Sequence, residues 1–243
     1  GLFYTLLDPR YLVLLASSII LDYYIALFIA SSEKEKTKRF ALLFSISVSL
    51  FLLIGFKYMN MFSGLLISTL NILDIRIVVP SLHIVIPVGI SFFTFKKISY
   101  VIDVYRGTVR PEKHLGIFAL YVSHFLEILS GPIDRAGKLI PQLKQPRALN
   151  EADLYAGILL ILWGLFMKVV VADRLAIYTD AVFNNLPHHY GPSLLIAAYF
   201  YTFQIYCDFA GYTNIAIGGG RLLGIDLMPN FNKPYLSRNI SDF

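Results

Sequence analysis

Apolar residues are arranged along the chain in runs that are separated by short polar connections. Five runs are close to the length of about 20 residues that a helix needs to cross a bilayer core. They cover residues 11–30, 40–62, 83–100, 152–171 and 194–209. The pattern predicts an all-α fold, a polytopic transmembrane helical bundle that forms one partial domain over residues 1–243. We expect both ends of the chain to be truncations.

Polar and helix-breaking residues inside these runs indicate where the helices need protein neighbours. Asp22 lies within the first run and is expected to face protein, because a charged side chain in lipid is costly. Pro87 and Gly89 predict a kink or a break in the third run. The bundle is therefore expected to contain broken helices.

Residues 115–130 form a sixth apolar run that is short for an ordinary crossing. A crossing here would place the basic stretch 134–147 outside, against the usual cytoplasmic placement of Lys and Arg. We favour a re-entrant or interfacial helix, and an ordinary short span stays the alternative. By the same charge rule the loop 31–39 is placed on the cytoplasmic side. The polar segment 221–243 is placed there as well, because the run 194–209 is expected to cross back inward.

Composition supports a membrane protein and argues against nucleic-acid binding and a metal site. Hydrophobic residues make up 56% of the chain and charged residues 15%, which is typical of polytopic membrane proteins. The net charge of +5 is spread over short connections, so we expect contact with the lipid bilayer and no nucleic-acid partner. Cys207 is the single cysteine, and the histidines lack metal-ligand spacing with carboxylate or cysteine partners, so no metal site is predicted.

The polar residues after position 206 are the main candidates for chemistry. Asp208 precedes Tyr212 by four residues, which places both on one helix face if the helix continues. This carboxylate is suited either to orienting a catalytic imidazole or to accepting a structural hydrogen bond. A dense hydrogen-bonding run follows and is predicted to line a substrate tunnel or position a substrate, with a solvated loop as the alternative. Its candidate residues are Asn230, Tyr235, Ser237 and Asp242.

Two further features receive a structural interpretation. Ala216, Gly220 and Gly224 recur every four residues, which predicts a small-residue helix face that another backbone approaches closely. Lys168 lies near the expected outer end of its span, where it can extend to the headgroups or point inward at a carboxylate. Extension to the headgroups is the favoured interpretation.

Four blocks of the chain resemble the membrane-bound O-acyltransferase superfamily, in the bacterial branch that contains the alginate O-acetyltransferase membrane subunit. The blocks are PVGISFFTF at 87–95 continuing to ISYVIDVYRG at 98–107, SGPI at 130–133, KVVVAD at 168–173, and residues 206–243. The last block is the most specific, since it keeps DFAGY, NF, PY and ISDF together in order. Glu127 departs from the pattern, because relatives usually carry Gln or His there.

The resemblance implies the superfamily's bundle with broken, re-entrant and interfacial helices, in a bacterial cytoplasmic membrane. It also implies O-acyl transfer, most simply of acetyl, from a cytoplasmic thioester donor to hydroxyls of an extracytoplasmic polysaccharide. The donor is acyl-coenzyme A or an acyl carrier protein, and no bound cofactor is expected. A periplasmic or extracellular acyltransferase partner is implied as well. The family's catalytic histidine is expected beyond Phe243, so we expect the 243-residue chain to be inactive alone.

Several alternatives stay open at this point. The polar C-terminal run also suits a polytopic transporter whose permeation path it lines, or a non-catalytic membrane scaffold that recruits a partner. The transferred group can be acetyl or D-alanyl, and the donor carrier, the glycan, the oligomeric state and the role of Glu127 are not specified by these patterns.

Overall fold

The computed structural model describes residues 9–72, 87–128, 131–145, 150–231 and 234–239. Of these residues 78% are helical and none lies in a strand, which confirms the all-α prediction. The chain divides into two compact units. One consists of Gly1–His124 with Arg135–Ile140, and the other of Phe125–Asp134 with Pro141–Phe243.

Three helical stretches of the described chain are long and apolar enough to cross a membrane. They are Tyr11–Ser31, Glu35–Met59 and Glu151–Phe183, which overlap three of the predicted spans. The crossings predicted at 83–100 and 194–209 stay predictions, although described helices lie in both regions.

The first unit is built from four helices. They are α1 (Pro9–Ser31), α2 (Glu35–Ile72), α3 (Ile90–Tyr105) and α4 (Leu115–Val122). The connection between α1 and α2 is very short, which makes them neighbours, and the Ser32 side chain donates a hydrogen bond back to the Phe28 carbonyl (2.7 Å). At the C-terminal end of α3, the Tyr105 hydroxyl donates a hydrogen bond to the Glu35 carboxylate at the start of α2 (2.6 Å), and this bond raises the pKa of Tyr105.

Buried aromatic rings hold α3 and α4 together. Tyr100, Phe118 and Tyr121 are fully buried, and the centroids of the Tyr100 and Phe118 rings lie 4.6 Å apart. The Tyr23 hydroxyl of α1 donates to the Lys113 carbonyl just before α4 (2.5 Å). Each buried ring of this size removes a large apolar area from water, so the cluster is the main core of this end of the unit.

A buried ion pair joins the three long helices of the first unit. The Lys97 ammonium of α3 lies 2.8 Å from the Asp22 carboxylate of α1, and the Ser45 hydroxyl of α2 donates to the same carboxylate (2.6 Å). The expectation that Asp22 faces protein is therefore confirmed. The sequence showed the cost of this charge, and the structure shows the lysine that compensates it.

The structure also bears on the two irregular regions predicted in this unit. Gly89 has a positive φ of 73° and directly precedes the first residue of α3, so the described helix begins after Pro87 and Gly89. Helix α4 has 8 residues, about 12 Å of helix against a hydrocarbon core of about 30 Å. On its own this helix is too short to cross the core, and the choice between a re-entrant or interfacial helix and an ordinary short span at 115–130 stays a prediction.

The second unit is dominated by two long helical stretches. The first runs from α6 (Glu151–Leu165) through a π-helical segment (Phe166–Ala172) into α7 (Asp173–Phe183). The second is α8 (Pro192–Leu222), which packs against all three parts. Two 3₁₀ turns of this unit lie at Leu186–His188 and Pro234–Leu236, and a short α5 (Ala136–Lys144) belongs to the first unit up to Ile140 and to the second from Pro141.

Helix α8 continues beyond residue 209, where the predicted span ends. Its 31 residues extend for about 46 Å and include Asp208, Tyr212 and the glycines at 218–220. Glycine in a helix interior normally destabilises it, so this continuation requires compensating packing. That packing is provided by α6.

Candidate active site

Four glycines form a seam between α6 and α8. A Cβ placed on Gly164 would lie 2.5 Å from the Gly211 carbonyl oxygen, and one on Gly211 would lie 2.8 Å from that of Gly164. Seven residues along each helix, Gly157 and Gly218 form a second such pair. A Cβ on Gly157 would lie 2.8 Å from the Gly218 carbonyl oxygen, and one on Gly218 would lie 2.6 Å from that of Gly157. Any side chain at these positions would force the two backbones apart.

The seam continues directly into a charged cluster. The Lys168 ammonium lies 2.5 Å from a carboxylate oxygen of Asp208 on α8 and 2.8 Å from one of Asp173. A Cβ on Gly211 would lie 3.2 Å from the Lys168 Cβ, so a larger residue at 211 would push Lys168 away from α8. The absence of a side chain at Gly211 therefore lets the lysine lie along α8 and reach Asp208.

The π-helical segment explains why Asp173 also reaches Lys168. The Asp173 N–H donates to the Lys168 carbonyl, which is the i to i+5 bond of a π-helix. In an α-helix, by contrast, neighbours on one face are three and four residues apart. The wider turn places two residues five apart on the same side, and their side chains form an ion pair there.

The structure corrects the prediction for Lys168 and confirms the one for Asp208 and Tyr212. The prediction that Lys168 extends to the headgroups is wrong, because its ammonium lies between two carboxylates. The prediction that Asp208 and Tyr212 share a face is confirmed, since α8 is continuous and the Lys168 ammonium lies 5.5 Å from the centre of the Tyr212 ring. Lys168 is the ion-pair partner of Asp208.

The predicted small-residue face at Ala216, Gly220 and Gly224 requires correction. Gly224 lies beyond the end of α8 with a φ of 70°, so it is a turn residue and not part of a helix face. A Cβ on Gly220 would meet the Ile225 carbonyl of the chain that turns back after the helix. The close helix contact is made instead by Gly211 and Gly218, at a spacing of seven.

The polar run that follows α8 folds back along the helix. The Asn230 side chain donates to the Thr213 hydroxyl (3.3 Å), and the Tyr235 hydroxyl donates to the Thr202 carbonyl (2.8 Å). Between these bonds, Phe231 packs edge-on against Tyr206 and Phe209 of α8.

Of the predicted site residues, Asp208 and Tyr212 share Lys168, and Asn230 lies beside the adjacent turn of α8. Tyr235 lies further toward the start of the helix, where its ring meets that of Tyr206. Ser237 donates its backbone N–H to the Pro234 carbonyl at the end of a 3₁₀ turn. Asp242 lies outside the described residues.

Side chains from the segment before α6 hold the start of this returning run. The Gln142 amide makes two hydrogen bonds to the Asp226 backbone, at 2.9 and 3.1 Å. The buried Asp134 carboxylate accepts from the Met228 N–H (2.9 Å), and the buried Glu127 carboxylate accepts from the Asp134 N–H (3.1 Å). Glu127 thus fixes the backbone of a residue that itself holds the returning run.

The cysteine and the described histidines are not members of the charged cluster at Lys168. Cys207 is buried with Met167, Ala172 and Ala210 in a small apolar core beside the charged cluster. His188 ends an exposed 3₁₀ turn and His189 follows it, whereas His124 is buried in the first unit. His83 lies outside the described residues. Within the described ranges no group of three or more His, Cys, Asp or Glu residues could hold a metal ion.

The chain is similar to curated bacterial proteins over almost its entire length. It is 32% identical to the peptidoglycan O-acetyltransferase of Helicobacter pylori, over 99% of the chain and 50% of that protein. It is 35% identical to the probable alginate O-acetylase AlgI of Pseudomonas aeruginosa, over 99% of the chain and 46% of that protein. The chain belongs to the membrane-bound O-acyltransferase superfamily.

This membership agrees with the resemblance noted for the four sequence blocks. A further similar protein is the teichoic acid D-alanyltransferase of Bacillus subtilis, at 32% identity over 64% of the chain and 40% of that protein. No protein-family model matches the chain. The chain spans about half the length of the curated relatives it matches.

Lys168 and Asp173 are the site residues that sequence reasoning undervalued. Both lie in the KVVVAD block, so the signal was present, but a spacing of five does not indicate a shared face in a regular helix. The π-helical segment creates that face, and the spacing of apolar and polar residues does not mark it.

Proposed function

We propose that this chain is part of a membrane-embedded O-acyltransferase that transfers an acyl group, most simply acetyl, from a cytoplasmic thioester donor to hydroxyls of an extracytoplasmic polysaccharide. The similarity of 32–35% over nearly the whole chain to proteins named as acetylases of peptidoglycan and alginate supports the proposal. We place the protein in the bacterial cytoplasmic membrane as a multi-pass protein. An extracytoplasmic acyltransferase partner would receive or deliver the group.

One structural observation agrees best with this chemistry. A lysine and two carboxylates form a partly exposed cluster on an apolar helix pair, and charged groups within membrane-spanning segments are costly and mark functional sites. The superfamily residues that the sequence singled out, Asp208 and Tyr212, both adjoin this lysine. A helix pair that only spanned the membrane would not need these groups.

The proposed reaction has a simple balance. The acceptor hydroxyl oxygen attacks the thioester carbonyl carbon, the carbon–sulfur bond breaks, and the hydroxyl proton passes through a base to the leaving thiolate. No bound cofactor or metal ion is required in this scheme, and coenzyme A or an acyl carrier protein leaves as the free thiol. We assign the base to a histidine beyond Phe243, as the superfamily resemblance implies.

A reconstituted transfer reaction tests the proposal. The full-length protein in sealed liposomes receives radiolabelled acetyl-coenzyme A on one side and de-acetylated alginate or peptidoglycan on the other. We expect label on the polymer only when donor and acceptor are on opposite faces. Parallel reactions with acetyl carrier protein and D-alanyl carrier protein identify the donor and the acyl group.

Three other outcomes would contradict parts of the proposal. Uptake of labelled polymer or donor without acylation would favour a transporter. Binding of an extracytoplasmic partner with no transfer from any of the three donors would favour a scaffold. Acetyl transfer by the 243-residue chain alone would show that the base lies within it.

A further inference from the structure

The cluster at Lys168 has an unbalanced charge. One ammonium faces two carboxylates, at 2.5 Å from Asp208 and 2.8 Å from Asp173, so the three groups together carry one negative charge when all are ionised. Asp208 and Asp173 keep 45% and 49% of their side chains exposed in this chain, and Lys168 keeps 25%. The Asp208 carboxylate is thus held by the lysine on one side and remains accessible on another.

The backbone around Lys168 is specialised for this contact. The π-helical segment aligns Asp173 with Lys168, and the absence of a side chain at Gly211 brings Lys168 against α8. Single π turns inside α-helices occur frequently at functional sites. Two independent backbone features, the π-helical segment and the glycine at 211, therefore both determine where the Lys168 ammonium lies.

We propose that Lys168 is a positioning residue for acyl transfer, which holds the Asp208 carboxylate in one orientation while Asp173 fixes the lysine. This inference rests on the proposed function, because it assigns the lysine an effect on turnover. Lys168 acts through Asp208 and does not need to touch donor or acceptor. Asp173 is the auxiliary member, since it contacts the same ammonium from the same helical stretch.

The first test compares turnover with folding in the full-length protein. Lys168→Met should lower kcat for acetyl transfer from radiolabelled acetyl-coenzyme A by about 100-fold, the effect of a misplacement of about 1 Å, with little change in KM. Lys168→Arg should recover part of this loss, and Asp173→Asn should lose less than Lys168→Met. The control is Lys57→Met, because Lys57 is an exposed lysine of α2 whose ammonium lies 5.6 Å from the Tyr58 ring.

An exchange of the pair separates positioning from simple helix pairing. The variant Lys168→Asp/Asp208→Lys keeps the same charges, so a purely structural pair would regain both folded yield and activity. Positioning of the carboxylate on α8 predicts recovery of yield with kcat still at the level of Lys168→Met. Recovery of kcat to the wild-type value would overturn the inference.

Chemical modification of Asp208 tests the inference without measuring acyl transfer, so it still applies if the wild-type protein transfers no acyl group. A hydrophobic carbodiimide, followed by mass spectrometry, reports the reactivity of the Asp208 carboxyl, which an ammonium partner protects. We expect several-fold more modification at Asp208 in Lys168→Met than in wild type or Lys57→Met. Unchanged modification would overturn the inference, whereas absence of transfer by the wild type would overturn the proposed function.

Discussion

Each of the two units contains a lysine that is ion-paired among apolar helices, but the surroundings of the two lysines differ. Lys97 and Asp22 are 2% and 1% exposed, are matched one to one, and receive a further hydrogen bond from Ser45. Lys168 is shared by two carboxylates that are each about half exposed. The first arrangement is closed and the second still has an accessible carboxylate.

This difference indicates different roles. A buried, neutral and fully paired set of charges can join three helices but has no group left for a substrate. A partly exposed set with a surplus carboxylate can still accept a hydrogen bond from another group. The comparison therefore assigns stability to the Lys97 pair and chemistry to the Lys168 cluster, and four substitutions test that assignment.

The largest effect on stability is expected at the closed pair. Lys97→Met leaves the buried Asp22 carboxylate without its ammonium, which should cost about 3–5 kcal/mol of unfolding free energy. Thermal or denaturant unfolding of the full-length protein in detergent measures this loss. The paired variant Lys97→Met/Asp22→Leu is the control and should recover most of it. Failure to recover would mean that the loss does not come from the unpaired Asp22 carboxylate.

The glycine seam should give an intermediate effect. Gly164→Ala places a methyl group 2.5 Å from the Gly211 carbonyl oxygen, and the resulting separation of α6 and α8 should cost about 1–3 kcal/mol. Because the same movement draws Lys168 away from Asp208, acyl transfer should fall as well. Gly55→Ala is the matched control, since a Cβ there would have no neighbour within 4 Å. Equal behaviour of the two variants would contradict the seam.

A smaller effect on stability is expected at the open cluster. Lys168→Met removes the ammonium from two partly exposed carboxylates that stay accessible without it, so the loss should be about 1 kcal/mol, well below that of Lys97→Met. The measurement is the same unfolding experiment as for Lys97→Met. A loss as large as that of Lys97→Met would erase the distinction between the two lysines.

The smallest effect on stability is expected at Asn230. Asn230→Ala removes one 3.3 Å hydrogen bond at an exposed position, so stability should change by less than about 0.5 kcal/mol. If Asn230 belongs to the positioning surface beside Tyr212, transfer activity should fall much more than folded yield. Equal losses in yield and activity would return Asn230 to a structural role.

The sequence was most informative about burial and breaks. Hydropathy located three stretches that the structure shows as long apolar helices, and the charge of Asp22 within one of them required a protein environment. Pro87 and Gly89 indicated an irregularity where the described α3 begins, because the backbone preferences of proline and glycine act locally. Each of these features depends on residues that are close together in sequence, so the order of apolar, polar and helix-breaking residues is enough to predict it.

Predictions that depended on partners were less successful. Lys168 was expected at the headgroups, since nothing in its own helix showed that Asp208 would lie opposite it. The small-residue face was predicted at Ala216, Gly220 and Gly224, because regular spacing within α8 does not reveal that Gly211 and Gly218 are the glycines that meet α6. The missing information was the register between two helices that are distant in sequence.

By itself the sequence determined that this is an all-helical membrane protein related to O-acyltransferases, and it indicated the region of α8 where polar groups collect. Only the tertiary structure decided which charges pair, because that depends on the antiparallel register of α6 and α8. The register follows from four glycines that permit close backbone contact, and the π-helical segment then aligns Asp173 with Lys168. Both are contacts in space, and neither has a counterpart in the local pattern of apolar and polar residues.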